Sequence, residues 1–280
     1  MQRREFVKSA MAAGVVPGAA LGAESAAGQA SAQTAAGVQG HDAMEGREFY
    51  QLRRYELRNG AQTALTQGYL ERALIPALGR LRLGPVGAFK LDIGPQMPTY
   101  YVLIPAADAE ALVTLDAALG ADKEYVKAAG GFRDAPASAP AFERSERSLL
   151  SAFSGWPKLT ATEAVNGKLP KRIFQLRTYE SASQAAHTRK MAMFNEAEIA
   201  IFLRAGLKPV FFADTLYGTR MPALTYLLTF ADTAELTARW AAFSADPEWK
   251  ELSHRAGNTD AEIVSNISNL YLSPLECSQI

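Results

Sequence analysis

Gln51-Leu52-Arg53-Arg54-Tyr55-Glu56 and Gln175-Leu176-Arg177-Thr178-Tyr179-Glu180 are nearly the same phrase, written twice at a separation of 124 residues. The same shift carries Pro85-Val86 onto Pro209-Val210, Gly94 onto Gly218, Met97-Pro98 onto Met221-Pro222, Leu103 onto Leu227 and Asp108 onto Asp232. Asp122-Lys123-Glu124-Tyr125 has its counterpart in Asp246-Pro247-Glu248-Trp249. One shift that serves every segment marks an internal repeat. Two units are too few for a solenoid, so each unit reads as a domain.

Working outward, each unit opens with a short alternating strand (Phe49 to Leu57, Ile173 to Tyr179). A helix follows, from about Thr63 to Leu81 and from Gln184 to Ala205, because apolar residues there recur at helical spacing. Two strands come next (Val86–Ile93 and Tyr100–Ile104; Val210–Tyr217 and Leu224–Phe230), joined by turns rich in Gly and Pro. Asp108 and Asp232 stand where a helix N-cap is needed, Glu235 adds the far half of a capping box, and Asp246-Pro247 starts a further short helix. Last strands are expected near Arg147–Phe153 and Ile263–Leu272. The order β-α-β-β-α-β is the ferredoxin-like unit, an α+β arrangement that leaves one sheet face bare. A bare apolar face must be buried. The expected fold is therefore two tandem ferredoxin-like units packed face to face as an intramolecular pseudo-dimeric α/β barrel.

The chain has 280 residues, with 29 Lys+Arg balanced by 29 Asp+Glu. That neutrality disfavours a nucleic-acid binder, whose basic stripe would show in the total. The single cysteine, Cys277, excludes an intrachain disulfide and a Cys-rich metal site, and three histidines leave little for a His-rich centre. Phosphate-loop, His-Glu-x-x-His and Gly-x-Ser-x-Gly patterns are all missing from the sequence. No metal and no cofactor is expected, and the sequence does not name a reaction.

Arg3-Arg4-Glu5-Phe6-Val7-Lys8 precedes an Ala-, Gly- and Val-rich stretch that is too short to span a bilayer. This pattern resembles a twin-arginine export signal, with cleavage favoured after Ala32 in the Ala30-Ser31-Ala32 triplet. The expected organisation is a signal peptide over 1–32, a linker over 33–46, a first domain over 47–155, a connector over 156–170 and a second domain over 171–275. The corresponding expectations are a periplasmic or secreted protein, the twin-arginine translocase as a partner during export, no permanent membrane anchor, and room for a homo-oligomer.

Leu-Arg-x-Tyr-Glu-Leu at Leu52 to Leu57, the Pro-Val/Gly entry to the second strand, and Asp-Pro-Glu-Trp at Asp246 to Trp249 together resemble the NIPSNAP family. The resemblance covers both halves, about residues 47–275, and implies the dimeric α/β-barrel group. That group includes monooxygenases and haem-handling enzymes, and the family itself supplies no catalytic residues to carry over.

Because side chains alternate across a strand, Gln51, Arg53 and Tyr55 share one face, as do Gln175, Arg177 and Tyr179. The expectation is that these rows line the barrel interior, where two arginine forks could hold a small anionic or oxygen-rich ligand. The alternative is that each arginine pairs with Glu56, Glu180 or another carboxylate and only holds the barrel shut. Glu198 stands on the helical stripe where the first copy has Leu74. A carboxylate there is a candidate general base, unless it sits at the stripe edge and reaches solvent or a neighbouring arginine. His187 shares its face, but lies about 16 Å along the helix. Tyr125 and Trp249 read as core anchors. The leading reading is an exported protein that binds a small ligand between its repeats. The rivals are an oxidoreductase or monooxygenase of the barrel group and a non-catalytic scaffold.

Overall fold

The computed structural model describes residues 46–162 and 170–280. The segment expected to be a signal peptide, nearly all of the expected linker and the middle of the expected connector lie outside the described residues. The first half runs β1 (Phe49–Glu56), α1 (Ala61–Tyr69), a π-helical turn (Leu70–Leu74), α2 (Ile75–Arg80), β2 (Gly87–Ile93) and β3 (Thr99–Ala106). It continues through α3 (Ala109–Val113), α4 (Leu115–Ala121) and α5 (Lys123–Arg133) to β4 (Arg144–Ala152).

The second half repeats the plan as β5 (Ile173–Glu180), α6 (Gln184–Met193), a π-helical turn (Phe194–Glu198), α7 (Ile199–Arg204), β6 (Lys208–Tyr217) and β7 (Ala223–Phe230). α8 (Thr233–Ala245), α9 (Pro247–His254), α10 (Asp260–Ile263) and β8 (Asn266–Pro274) complete it. The repeat reaches below the level of elements: the two π-turns sit 124 residues apart, and both Met-Pro bonds, at Met97-Pro98 and Met221-Pro222, are cis. Ile263, expected at the start of the last strand, instead ends α10, whose capping box at Thr259 and Glu262 stabilises one more helical turn.

The strands close into a barrel in the order β1-β3-β2-β8-β5-β7-β6-β4, with every neighbouring pair antiparallel. The two halves join edge to edge, β2 against β8 and β4 against β6, so no strand edge is left unpaired. Helices cover the outside of both half-sheets, and the sheet thus has two buried faces. Tyr50, Phe89, Leu103, Phe174, Phe211 and Leu272 fill the lumen. Separate apolar cores lie between sheet and helices in the first and the second half.

The Asp caps form as the sequence suggests, but the Glu235 carboxylate accepts from the Ala231 amide rather than from that of Asp232, so the expected capping box is not closed. Asp108, Asp122, Asp232 and Asp246 each accept hydrogen bonds from backbone amides in the first turn that follows. Gly206, at φ +76°, ends α7 in the left-handed region that favours glycine. Among the described residues no helix is long and apolar enough to cross a membrane.

Candidate functional site

Strand alternation holds, but the faces are the reverse of the expectation. Tyr50, Leu52, Phe174 and Leu176 point into the lumen, while Tyr55 and Tyr179 belong to the two helix–sheet cores. Gln51, Arg53, Gln175 and Arg177 follow the tyrosines outward. The physical reason is that the lumen of this eight-stranded barrel must be filled mostly by apolar side chains. The mixed polar row is taken by the wider gap beneath the helices.

In the first half this row opens onto a cleft of about 300 Å³ between sheet and helices, walled by Tyr55, Tyr69, Tyr125 and Phe132 with Arg53 and Arg147 among its cations. Gln51 Nε2 donates to the Leu112 carbonyl (2.9 Å), and its Oε1 accepts from Arg53 Nε (2.5 Å). Arg53 is 1% exposed, yet its carboxylate contact is a long one, 3.5 Å to Asp116. Asp116 is 58% exposed on the cleft rim and also contacts Arg147. Glu56, the partner suggested by the sequence, pairs instead with Arg54 (2.8 Å). Tyr69 stacks on Phe132 at 3.9 Å between centroids, and its hydroxyl lies 3.0 Å from that of Tyr125. Burial pushes the Tyr69 phenol well above its ordinary range. Tyr125 is therefore both a core anchor and a cleft wall.

The second half is built on the same register but closed. Trp240, the counterpart of Asp116, lays its ring 4.6 Å from Arg177 Cζ and donates from Nε1 to Gln175 Oε1 (2.7 Å). Gln175 Nε2 donates to Asn269 Oδ1 (2.9 Å), and Arg177 Nη2 donates to the Tyr179 hydroxyl (2.8 Å). Tyr179 and Tyr226 stand 5.4 and 6.0 Å from the same guanidinium, so an aromatic cage holds it. Glu180 pairs with Arg220 at the barrel end rather than with Arg177.

Glu198 lies at the end of its π-turn and is 2% exposed, so it does not sit at a solvent edge. Lys190, itself 1% exposed, meets its Oε2 at 3.3 Å. Burial raises the Glu198 carboxyl above the usual range, with Lys190 pulling the other way. His187 is also buried, its Nε2 2.7 Å from Asp214 Oδ1 and its Nδ1 without a partner. The sequence reading missed Lys190, Asp214 and Arg147. Lys190 was the one with a signal, since it replaces Thr66 eight residues, about two helical turns, before Glu198. Among the described residues no group of His, Cys, Asp and Glu side chains could hold a metal ion.

The NIPSNAP family model matches residues 174–279. No protein of curated function matches the sequence. Among the solved structures this chain resembles, two align over most of both chains. A candidate monooxygenase of Fusobacterium nucleatum aligns over 83% of this chain and 94% of its own, at 6% identity and a TM-score of 0.53. One from Lactobacillus acidophilus aligns over 81% and 94%, at 10% identity and a TM-score of 0.51. A NIPSNAP-like domain protein of Burkholderia xenovorans, 22% identical, covers 37% of this chain and 85% of its own at a TM-score of 0.34. The monooxygenase likeness is one of fold: a closed antiparallel barrel of the dimeric α/β type, carrying in its second half a stretch that matches the NIPSNAP family.

Proposed function

We propose that this protein binds a small, planar, oxygen-rich or anionic ligand in the helix–sheet cleft of its first half, with Arg53 as the buried anchor. The second half, in this reading, is the structural copy. The observation that carries it is Arg53 itself: a guanidinium 1% exposed that faces a cavity, is bonded by Gln51 through Nε, and meets a carboxylate only at 3.5 Å, on the exposed Asp116. Buried charges are ordinarily paired, and a ligand carboxylate or enolate can complete what Asp116 only begins. Aromatic walls suit a flat ligand.

The test is calorimetric titration with salicylate as the probe. The expected result is saturable binding that Arg53→Ala weakens by about tenfold or more, as loss of a charge-assisted hydrogen bond predicts. Wild-type protein that takes up no salicylate, or an Arg53→Ala variant that binds it equally well, sinks the reading.

A catalytic version, oxidation of the held ligand, is favoured by the fold shared with two candidate monooxygenases and by the Tyr69–Tyr125 hydroxyl pair at the cleft. Dioxygen uptake in the presence of a phenolic acid tests it. The Arg3-Arg4 leader supports export. If that is right, an Arg3→Lys, Arg4→Lys variant stays unprocessed in the cytoplasm, whereas processing equal to wild type contradicts it.

A further inference from the structure

The two ends of the barrel differ. At one end Leu159 and Ala161 of the connector and the C-terminal Ile280 pack against the lumen core, and Ile280 is 1% exposed. At the other, where β1 and β5 finish, the β2–β3 and β6–β7 turns flank an opening of about 280 Å³. Leu52, Leu150, Leu176 and Leu270 contribute apolar walls, while Thr178, Thr225, Thr215, Ser148 and Ser268 supply hydroxyls. Below Leu52 and Leu176 the lumen is packed by Phe89, Leu103, Phe211 and Leu227, with no room for a water molecule.

Two guanidiniums reach this mouth and they are not equivalent. Arg54 is fully engaged by Glu56 (2.8 Å), Glu146 (3.1 Å) and Gln96. Arg220 is 59% exposed and makes only marginal contacts, 3.6 Å to Glu180 and 3.3 Å to the Ser268 hydroxyl. A mostly exposed guanidinium whose carboxylate contact is as long as 3.6 Å, set over an apolar well, fits a carboxylate with a hydrocarbon tail. Exposed apolar side chains gather at the same end: Ile93, Met97, Tyr217, Met221 and Ile267 are five of the eight large hydrophobics exposed among the described residues. Scattered singly they would mean little, but gathered beside one opening they mark a site that apolar matter enters.

We propose that the barrel mouth is a second ligand site, separate from the helix–sheet cleft, for an aliphatic carboxylate of medium chain length. The carboxylate meets Arg220, and the chain lies on Leu52, Leu176 and Leu270. At ~30 Å³ per water-sized group the opening holds roughly nine such groups, and the packed floor stops a longer chain.

The test is calorimetry on the full chain with hexanoate, octanoate and dodecanoate below their micelle concentrations, and with octan-1-ol as the uncharged control. The expected result is one saturable site whose affinity rises about fourfold per methylene up to octanoate and then stops rising. Arg220→Ala weakens octanoate by about tenfold and leaves octan-1-ol unchanged. Leu176→Phe, which narrows the well, abolishes both, while Asp116→Trp, which fills the other cleft, changes neither. Absence of saturable octanoate binding overturns the proposal. So does affinity that keeps climbing through dodecanoate, or binding lost in Asp116→Trp but kept in Arg220→Ala. Because the chain-length series needs no variant, a Leu176→Phe chain that fails to fold leaves the test intact.

Discussion

Asp116 and Trp240 occupy the same position of the repeat, and they do opposite things to the arginine beneath them. The Asp116 carboxylate reaches Arg53 at only 3.5 Å from an exposed rim, whereas the Trp240 indole closes over Arg177 with its ring 4.6 Å from the guanidinium carbon. One half therefore keeps a cleft and the other fills it. A duplicated unit needs only one copy of a site. Filling the second with aromatic packing turns a polar liability into core.

This relationship predicts that Asp116→Trp converts the first cleft into a copy of the second. Salicylate binding should fall by at least about tenfold, because the indole occupies the ligand's place. The position is exposed, so unfolding in denaturant should shift by no more than about 0.5 kcal/mol. Binding retained at wild-type strength would show that the cleft is not where the ligand sits.

Trp240→Ala should act on stability instead. The ring packs edge-on against Phe202 at 5.7 Å and Phe243 at 5.5 Å, besides covering Arg177 and holding Gln175. Removing it should cost on the order of 3 kcal/mol by chemical denaturation. Salicylate affinity of the folded variant should not change.

The Lys190–Glu198 pair invites a double-mutant cycle, with the first copy supplying the replacements. Lys190→Thr or Glu198→Leu alone leaves one buried charge unpaired and should cost roughly 3–5 kcal/mol. The double variant recreates the Thr66 and Leu74 solution and should lie within about 1 kcal/mol of wild type. Single losses that simply add would show that the two side chains are not coupled.

Glu198 also makes stability depend on pH. Burial raises its carboxyl in the folded chain, with Lys190 opposing, while in the unfolded chain a glutamate titrates near about 4.3. The folded state holds the proton more tightly. The contribution is complete below the unfolded value and is lost as pH climbs through the raised folded value. Denaturant midpoints of wild type should therefore decline across that window relative to the Lys190→Thr, Glu198→Leu variant. Parallel pH profiles would refute the assignment.

Much of the architecture is legible in the sequence. The repeated Gln-Leu-Arg-x-Tyr-Glu phrase, the shared shift of 124 residues, the Asp caps and the Met-Pro turns give strand, helix and turn in order, because each depends on local backbone chemistry. Period-2 alternation correctly groups Gln51 with Arg53 and Tyr55, and Gln175 with Arg177 and Tyr179. It cannot say which group looks inward, since a sheet covered on both faces has no solvent side to break the tie. Only the closure of β2 on β8 and β4 on β6 decided that Tyr50, Leu52, Phe174 and Leu176 fill the lumen and that the arginines lie beneath the helices. Glu198 was visible as an anomaly on an apolar stripe. Its burial depended on Lys190 reaching it across the π-turn, where an irregular helical turn resets the spacing that the sequence pattern assumes. What the sequence determined by itself is the duplication, because local signals repeat with it. That one copy is open and the other closed was decided by packing, because Asp116 and Trp240 acquire their roles only from the arginines that the barrel places beneath them.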